Sequence, residues 1–202
     1  MIMSQNEEVF EAGVTGMKRK YLSILRLVKR DGIEELIDWL SNHTDFFTAP
    51  ASARGHNNHP GGLVEHSLNV FFLLDGLLEA PLDIRESTIL VSLLHDVCKV
   101  NFYKWYVRNK KIDGVWVQEP YISIEDKIPL GHGEKSVMLI QQFIDLTMPE
   151  MMAIRWHMGG FDDAARQFAG GLALTEAMDL CPLIIYLHCA DLLSTIPEEK
   201  TL

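Results

Sequence analysis

An adjacent histidine and aspartate, His95 and Asp96, stand near the end of an otherwise apolar helical segment, within the sequence LLHDVCK. A carboxylate in an apolar interior is costly unless it is paired with a cation or bound to a metal. Other segments of the chain must therefore bring partners to Asp96. This requirement constrains the fold more than any other feature of the sequence.

Apolar residues recur at helical spacing through most of the chain. From Val14 to Val28 they form an amphipathic pattern, and after a break at Asp31 and Gly32 a second helix runs from Ile33 to about Asn42. We therefore predict a helical hairpin within residues 1–45. The further predicted helices are Leu63 to about Glu79, Ile84 to about Val100, Gly133 to about Leu146, Pro149 to about Met158 and Pro182 to about Leu193.

One segment has the pattern of β-strands. The aromatic and β-branched run from Phe102 to Val107, the turn-like residues 109–114 and the run from Val115 to Val117 predict a β-hairpin. Its aromatic residues are Tyr103, Trp105, Tyr106 and Trp116. Aromatics on a hairpin more often cover a hydrophobic core, and a stacking platform for a nucleobase is the alternative. We predict an all-α fold with one small hairpin insertion near residues 102–117, in a single domain of residues 1–202.

Composition and charge exclude several classes of protein. Hydrophobic content of 48% and charged content of 23% are those of a globular chain rather than a disordered one. No apolar run approaches the roughly 20 residues of a membrane span, and Glu7 and Glu8 stand where an export signal would be basic. We therefore expect a cytoplasmic protein. The net charge of −10 argues against binding to duplex nucleic acid and favours a small ligand.

Imidazole and carboxylate side chains occupy inward positions on other helical segments. His66 shares a helical stripe with Leu63 and Val70, so its imidazole points towards the core. A single histidine of this kind is more often a hydrogen-bonded core residue, but the whole group has the chemistry of a ligand set. The six candidate metal ligands are His66, His95, Asp96, His132, His157 and Asp191.

These side chains suit one or two divalent ions of borderline or hard character, such as manganese, iron, nickel, cobalt, zinc or magnesium. With two ions, Asp96 would bridge them. His66, His95 and Asp191 would complete the coordination of one ion, and His132 and His157 would bind the other. The three cysteines lack CxxC spacing, which argues against a cysteine-rich metal site. We expect these cysteines to be reduced residues of the core.

The order of the six residues resembles the H…HD…H…H…D pattern of the HD-domain superfamily of metal-dependent phosphohydrolases. The resemblance covers residues 58–195 and is carried by GGLVEHSLNV, LLHDVCK, GHGEKS and LHCADLLS. Several of these phrases are also similar to the HD domain of a bacterial 3′-to-5′ exoribonuclease and to stand-alone phage-type HD proteins. The resemblance implies an HD-domain helical bundle, with the metal-binding core in residues 58–195 and the first 45 residues packed on it.

The resemblance also implies a mechanism, in which bound metals activate a water that attacks phosphorus. Lys99 matches a lysine that often follows the pair in related proteins and would reach a substrate phosphate. Its alternative is a solvated lysine at a helix end. Among the loop residues, Arg54 could clamp an anionic group and His59 could assist a ligand or donate a proton, whereas His56 has a weaker claim.

Three functions fit this sequence. The leading prediction is a metal-dependent phosphohydrolase, with Asp96, Lys99, Arg54 and His59 as its catalytic candidates. Its substrate would be a small phosphorylated anion, such as a nucleotide or a short single-stranded end. The second is an HD-type di-iron oxygenase acting on a small polar substrate, which the ligand order alone does not separate from the first. The third is a non-catalytic sensor or assembly module with a structural metal.

Overall fold

A computed structural model describes residues 5–79 and 84–196 of the chain, with side chains from residue 12 onwards. These residues form eight α-helices and one antiparallel pair of strands. In chain order they are α1 (Gln5–Leu25), α2 (Ile33–Asp38), α3 (Gly62–Leu78), α4 (Arg85–Leu94), β1 (Tyr103–Ile112), β2 (Val115–Ile124), α5 (His132–Ile140), α6 (Met148–Trp156), α7 (Phe168–Leu180) and α8 (Leu183–Ser194). The predicted all-α class with one hairpin is confirmed.

Helix α3 is the centre of the bundle and packs against both α4 and α8. Leu63, His66 and Val70 of the predicted stripe are fully buried, whereas Leu77, at its far end, is 43% exposed and Leu74 is buried instead. Helix α6 packs against α4, α5 and α8 and closes the bundle. Its first turn carries a capping box, in which Thr147 and Glu150 satisfy each other's backbone N–H groups.

The N-terminal helices share the core of the bundle. Tyr21 and Leu25 of α1, with Leu36 of α2, are fully buried in the same apolar cluster as α3 and α4. The Tyr21 hydroxyl also donates a hydrogen bond of 2.9 Å to the Leu93 carbonyl, near the end of α4. This bond satisfies one of the carbonyls that a helix leaves free at its C-terminus.

Two predicted helices end earlier than their sequence patterns indicated. The helix expected from Ile84 to Val100 is α-helical only to Leu94, and Val97–Lys99 then form a 3₁₀ turn. Neighbouring side chains on a regular α-helix point about 100° apart. The change at Asp96 lets two adjacent side chains face one cluster. The helix expected to reach Leu146 ends at Ile140.

Helix α7 was not predicted. Its sequence, FAGGLALTEAMDL, has two glycines and buries only Leu174 and Ala177, so the helical pattern is weak. The structure explains Gly170, because a Cβ there would lie 1.9 Å from the Ala164 carbonyl oxygen. The glycine that weakened the sequence signal permits this close approach of backbone.

The hairpin is longer than predicted. Its arms have ten residues each, and Asp113 and Gly114 form a tight turn in which both have positive φ. Residues assigned to the turn at 109–112 therefore belong to β1, and the Asp-Gly pair was the stronger turn signal.

The aromatic side chains of the hairpin do not cover the core as a group. Tyr103 is buried, but Trp105 is 48% exposed, Tyr106 45% and Trp116 68%. The strand register places Trp105 and Trp116 on one face of the hairpin, together with Val107. The favoured interpretation of these aromatics as core cover is therefore wrong for three of the four.

Among the described residues, no single helix combines the length and apolar content needed to cross a membrane, although α7 and α8 together pass that test across a bend of 106°.

Candidate metal centre

The candidate site lies where the ends of helices meet. His66 projects from the middle of α3, His95 and Asp96 directly follow α4, and His157 directly follows α6. Asp191 lies on the last turns of α8, which packs beside α3. His66, His95, Asp96 and His157 are almost completely buried. Two helices and two helix ends therefore place five of the six predicted ligands together.

Four of these side chains present their ligand atoms at short mutual distances. His66 Nε2 lies 3.2 Å from His95 Nε2, 3.2 Å from Asp191 Oδ1 and 3.4 Å from Asp96 Oδ2. His95 Nε2 is 3.4 Å from Asp96 Oδ2. Ligand atoms bound to one metal at about 2.1 Å lie at similar distances from each other. The spacing of His66, His95 and Asp96 suits a single ion, and Asp191 Oδ1 adjoins them at 3.2 Å from His66 Nε2 and 3.9 Å from His95 Nε2.

The hydrogen bonds of the three histidines determine which nitrogen faces the cluster. His95 Nδ1 bonds to the Ser92 carbonyl at 2.8 Å, and His157 Nδ1 bonds to the Ile154 carbonyl at 2.7 Å. His66 Nδ1 lies 3.1 Å from Ser194 Oγ, whose own hydrogen is donated to the Asp191 carbonyl, so Ser194 Oγ accepts from Nδ1. Because Nδ1 of each ring donates to an oxygen, each neutral ring carries a lone pair on Nε2.

Converging lone pairs and carboxylate oxygens repel one another unless a proton or a metal cation lies between them. Two unprotonated Nε2 atoms at 3.2 Å cannot hydrogen-bond to each other, and the oxygens beside them are also acceptors. Among the described residues, His157 Nε2 and Asp96 Oδ1 are buried without a hydrogen-bond partner, 3.7 Å apart. The side chains present therefore fit a divalent metal, and the pair of orphaned atoms offers ligands for a second ion.

Both carboxylates are held in their ionised form. Burial acts to raise the pKa of Asp96, but the charge of Lys99 and the neighbouring histidines outweigh it and lower the pKa well below the usual range. Burial likewise opposes ionisation of Asp191, and a hydrogen bond from His66 with the charge of His95 lowers its pKa. Burial raises the pKa of the Cys98 thiol to about 12, so this nearby cysteine stays protonated.

Lys99 belongs to the cluster. Its Nζ lies 2.6 Å from Asp96 Oδ2, and its side chain is only 13% exposed. The alternative of a solvated lysine at a helix end is therefore wrong. The 3₁₀ turn after Asp96 folds Lys99 back onto the carboxylate three residues earlier.

The comparison with known families agrees with this geometry. A family model described as HD domain matches residues 63–196, well over half of the chain. The chain belongs to the HD domain family. No curated protein and no solved structure gives a significant match. HD domains are mostly metal-dependent hydrolases that bind divalent ions, and the finer likeness to an exoribonuclease or to phage-type proteins stays a prediction.

In this HD domain, His132 stands apart from the other predicted ligands. It is the first residue of α5, its side chain is exposed, and its Nδ1 lies 3.3 Å from Cys98 Sγ. Two overlapping groups of residues have ligand atoms within 4.8 Å of one another, and His132 is in neither. They are His66, His95 and Asp96, and His95, His157 and Asp191. A metal-binding role for His132 stays a prediction.

The two loop residues singled out in the sequence lie outside the cluster of this HD domain. Arg54 is exposed. The His59 Nε2 lies 3.3 Å from Glu65 Oε2, and its side chain is 44% exposed. Their catalytic roles stay predictions.

His56, which had the weaker claim in the sequence, is the loop residue closest to the ligands. Its ring centroid is 4.9 Å from that of His66. Burial, together with the charges of His66 and Lys99, lowers the pKa of His56. Nothing in the local sequence separates His56 from His59, because both are histidines of one polar loop. Only the folded position of the loop distinguishes them.

Proposed function

We propose that this HD domain is a metal-dependent phosphohydrolase that acts on a small phosphorylated anion, such as a nucleotide or a short single-stranded nucleic-acid end. One observation carries the proposal: buried imidazole lone pairs and ionised carboxylates converge with the spacing of a metal-ligand set.

His66, His95, Asp96 and Asp191 would hold one divalent ion, and the free Asp96 Oδ1 with His157 Nε2 would hold a second. A divalent ion bound there supplies an activated water and stabilises negative charge that develops on phosphoryl oxygens. Each histidine is oriented by a second hydrogen bond through Nδ1, to a backbone carbonyl or to Ser194. Such bonds fix ring orientation and raise the basicity of the nitrogen that faces the metal.

Lys99 supports an anionic substrate. Its ion pair with Asp96 fixes the carboxylate, and its pKa is raised, with burial opposed by the charge of Asp96, so the side chain keeps its positive charge. A fixed positive charge beside the metal ligands would attract a phosphate and add to its binding. The chain as a whole is acidic, and Lys99 places a positive charge at one buried point beside the candidate site. This charge distribution suits a small anionic substrate better than a long nucleic acid.

The test is turnover by protein loaded with manganese, iron, cobalt or nickel, on panels of phosphomonoesters, phosphodiesters and nucleotides. We expect metal-dependent release of phosphate or of a nucleotide, and its loss in His95→Ala. His43→Ala is the matched control, because His43 is exposed and pairs with Asp38 at the surface. Activity that consumes oxygen and needs a redox-active metal would contradict the proposal, as would the absence of turnover on every panel.

A further inference from the structure

His56 lies against the metal ligands without being one of them. Its ring packs on the His66 ring at 4.9 Å between centroids, with 41° between the planes. Its ligand atoms belong to neither group of residues whose donors lie within 4.8 Å of one another. The ring therefore borders the site from the loop before α3.

The Nε2 atom of His56 is buried and has no hydrogen-bond partner among the described residues. Leaving a buried polar atom without a partner costs about 1–3 kcal/mol. Native structures tolerate few such atoms, and those that occur at a site are often reserved for a ligand. His59, three residues later, differs because its Nε2 faces Glu65.

The loop is built to hold His56 in this position. Ser52 Oγ donates a hydrogen bond of 2.7 Å to the His56 carbonyl and accepts one of 2.8 Å from the Gly55 N–H. Asn57 has a φ of 48°, in the left-handed region. A Cβ at Gly62 would lie 1.9 Å from the Asn57 carbonyl oxygen. These contacts fix the backbone on both sides of His56, and they hold the unpaired Nε2 of His56 in a defined position.

We propose that His56 is a substrate-binding residue, which donates a hydrogen bond from Nε2 to a phosphoryl oxygen of the substrate held at the metal centre. This inference rests on the proposed function, since it takes a phosphorylated anion as the substrate. It assigns to His56 the role of binding the anionic group, which the sequence gave to Arg54. A hydrogen bond from the ring would hold the phosphoryl group on the His66 side of the cluster.

The test compares His56→Ala with His43→Ala, a deletion of the same side chain at an exposed position outside the site. Each protein is loaded with manganese, and three quantities are measured: bound metal per chain by elemental analysis, affinity for inorganic phosphate by calorimetry, and kcat and KM. We expect His56→Ala to keep its metal and to bind phosphate about tenfold or more weakly, as the loss of a hydrogen bond to a charged group predicts. His43→Ala should match the wild type.

Added imidazole should restore phosphate binding to His56→Ala, an effect that a purely structural role would not produce. If His56→Ala fails to fold, His56→Phe, which keeps a ring beside His66 but removes the donor, takes its place. The inference is overturned if phosphate affinity is unchanged in the His56→Ala protein, if metal is lost with it, or if His43→Ala shows the same defect. Weaker phosphate binding without any turnover by the wild type would uphold the inference and reject the hydrolase; no phosphate binding by the wild type would reject both.

Discussion

The two oxygens of Asp96 serve different neighbours. Oδ2 accepts from Lys99 at 2.6 Å and lies beside His66 and His95, whereas Oδ1 lies 3.7 Å from His157. The sequence predicted that this carboxylate is buried, because it follows an apolar helix. It did not predict which neighbours each carboxylate oxygen contacts, because the orientation of the carboxylate depends on the turn after Asp96 and on helices distant in the chain.

Asp96→Asn should reduce metal affinity by more than about 100-fold, since even the loss of a residue that only orients a ligand costs roughly 10–100-fold. It also leaves the Lys99 charge uncompensated, which costs about 3 kcal/mol of stability. Elemental analysis after dialysis and urea denaturation would measure the two effects. Asp38→Asn is the control, because Asp38 is 61% exposed. An Asp96→Asn protein with wild-type metal content would disprove the bridging role.

The two remaining histidines should behave differently. His157 is 1% exposed and its Nε2 faces Asp96, whereas His132 is exposed and lies against Cys98. We expect His157→Ala to lower the number of bound ions per chain and His132→Ala to leave the first ion in place. Elemental analysis of both variants, purified in parallel, measures this. Equal loss of metal from both would show that His132 moves into the site when metal binds.

At the scale of elements, the site forms where helices end. His95 and Asp96 follow α4, and His157 follows α6. Helical periodicity located both helices but placed the end of α4 too late, because the helix gives way to a 3₁₀ turn after Asp96. That change depends on packing with other helices, which a local pattern does not record. Helix α7 was missed for a different reason, since its two glycines weaken the helical pattern, and Gly170 closely approaches the nearby Ala164 carbonyl.

Thr147 caps α6, the helix that ends beside His157. Thr147→Ala should lower the free energy of unfolding by about 1 kcal/mol, the usual cost of losing an N-cap side chain. Urea denaturation would measure it. Thr175→Ala is the control, since Thr175 is exposed within α7 and should change stability by less than about 0.5 kcal/mol. An equal cost for both variants would mean that the capping box adds nothing specific.

The Arg30–Glu150 ion pair joins the segment after α1 to α6, with Glu150 buried and two bonds of 2.7 and 2.6 Å. Burial acts to raise the pKa of Glu150, but the bonds from Arg30, Ser87 and the Thr147 N–H outweigh it and hold the pKa below the usual range of a glutamate. A lowered carboxyl pKa contributes stability above the unfolded value, and that contribution is lost as pH falls through the folded value.

Stability of the wild type should therefore decline between about pH 5 and pH 3 more steeply than that of Glu150→Gln, as linkage requires. Chemical denaturation across this interval gives both slopes. Glu176→Gln, at an exposed position on α7, should keep the wild-type slope. Parallel curves for the wild type and Glu150→Gln would show that the pair does not govern acid stability.

At the scale of the whole molecule, the HD family match begins at residue 63. The hydrophobic core also includes residues that precede the match. Tyr21, Leu25, Leu36 and Leu40 are fully buried in the shared apolar cluster. The sequence predicted a helical hairpin here and its packing on the metal-binding residues. It could not show that these side chains complete the core, because contacts between distant segments leave no local pattern.

Deletion of residues 1–45 should prevent folding. Each fully buried large apolar side chain contributes roughly 1.5–3 kcal/mol, so the four lost here rival a total stability of about 5–15 kcal/mol. Circular dichroism and thermal unfolding of the shortened chain would report this. A cooperative transition near the wild-type temperature would instead show that residues 46–202 fold independently.

The exposed hairpin has a consequence for how unfolding can be observed by fluorescence. Of the four tryptophans, Trp105 and Trp116 already meet solvent in the folded state, whereas Trp39 and Trp156 are partly buried against the core. Indole emission responds to the polarity around the ring. The two hairpin tryptophans are therefore expected to emit as solvent-exposed indoles both before and after unfolding. The spectral change comes mainly from Trp39, which packs on Phe143, and from Trp156, which packs under Arg155. Replacing Trp105 and Trp116 with phenylalanine would remove a constant background and leave two optical reporters inside the bundle.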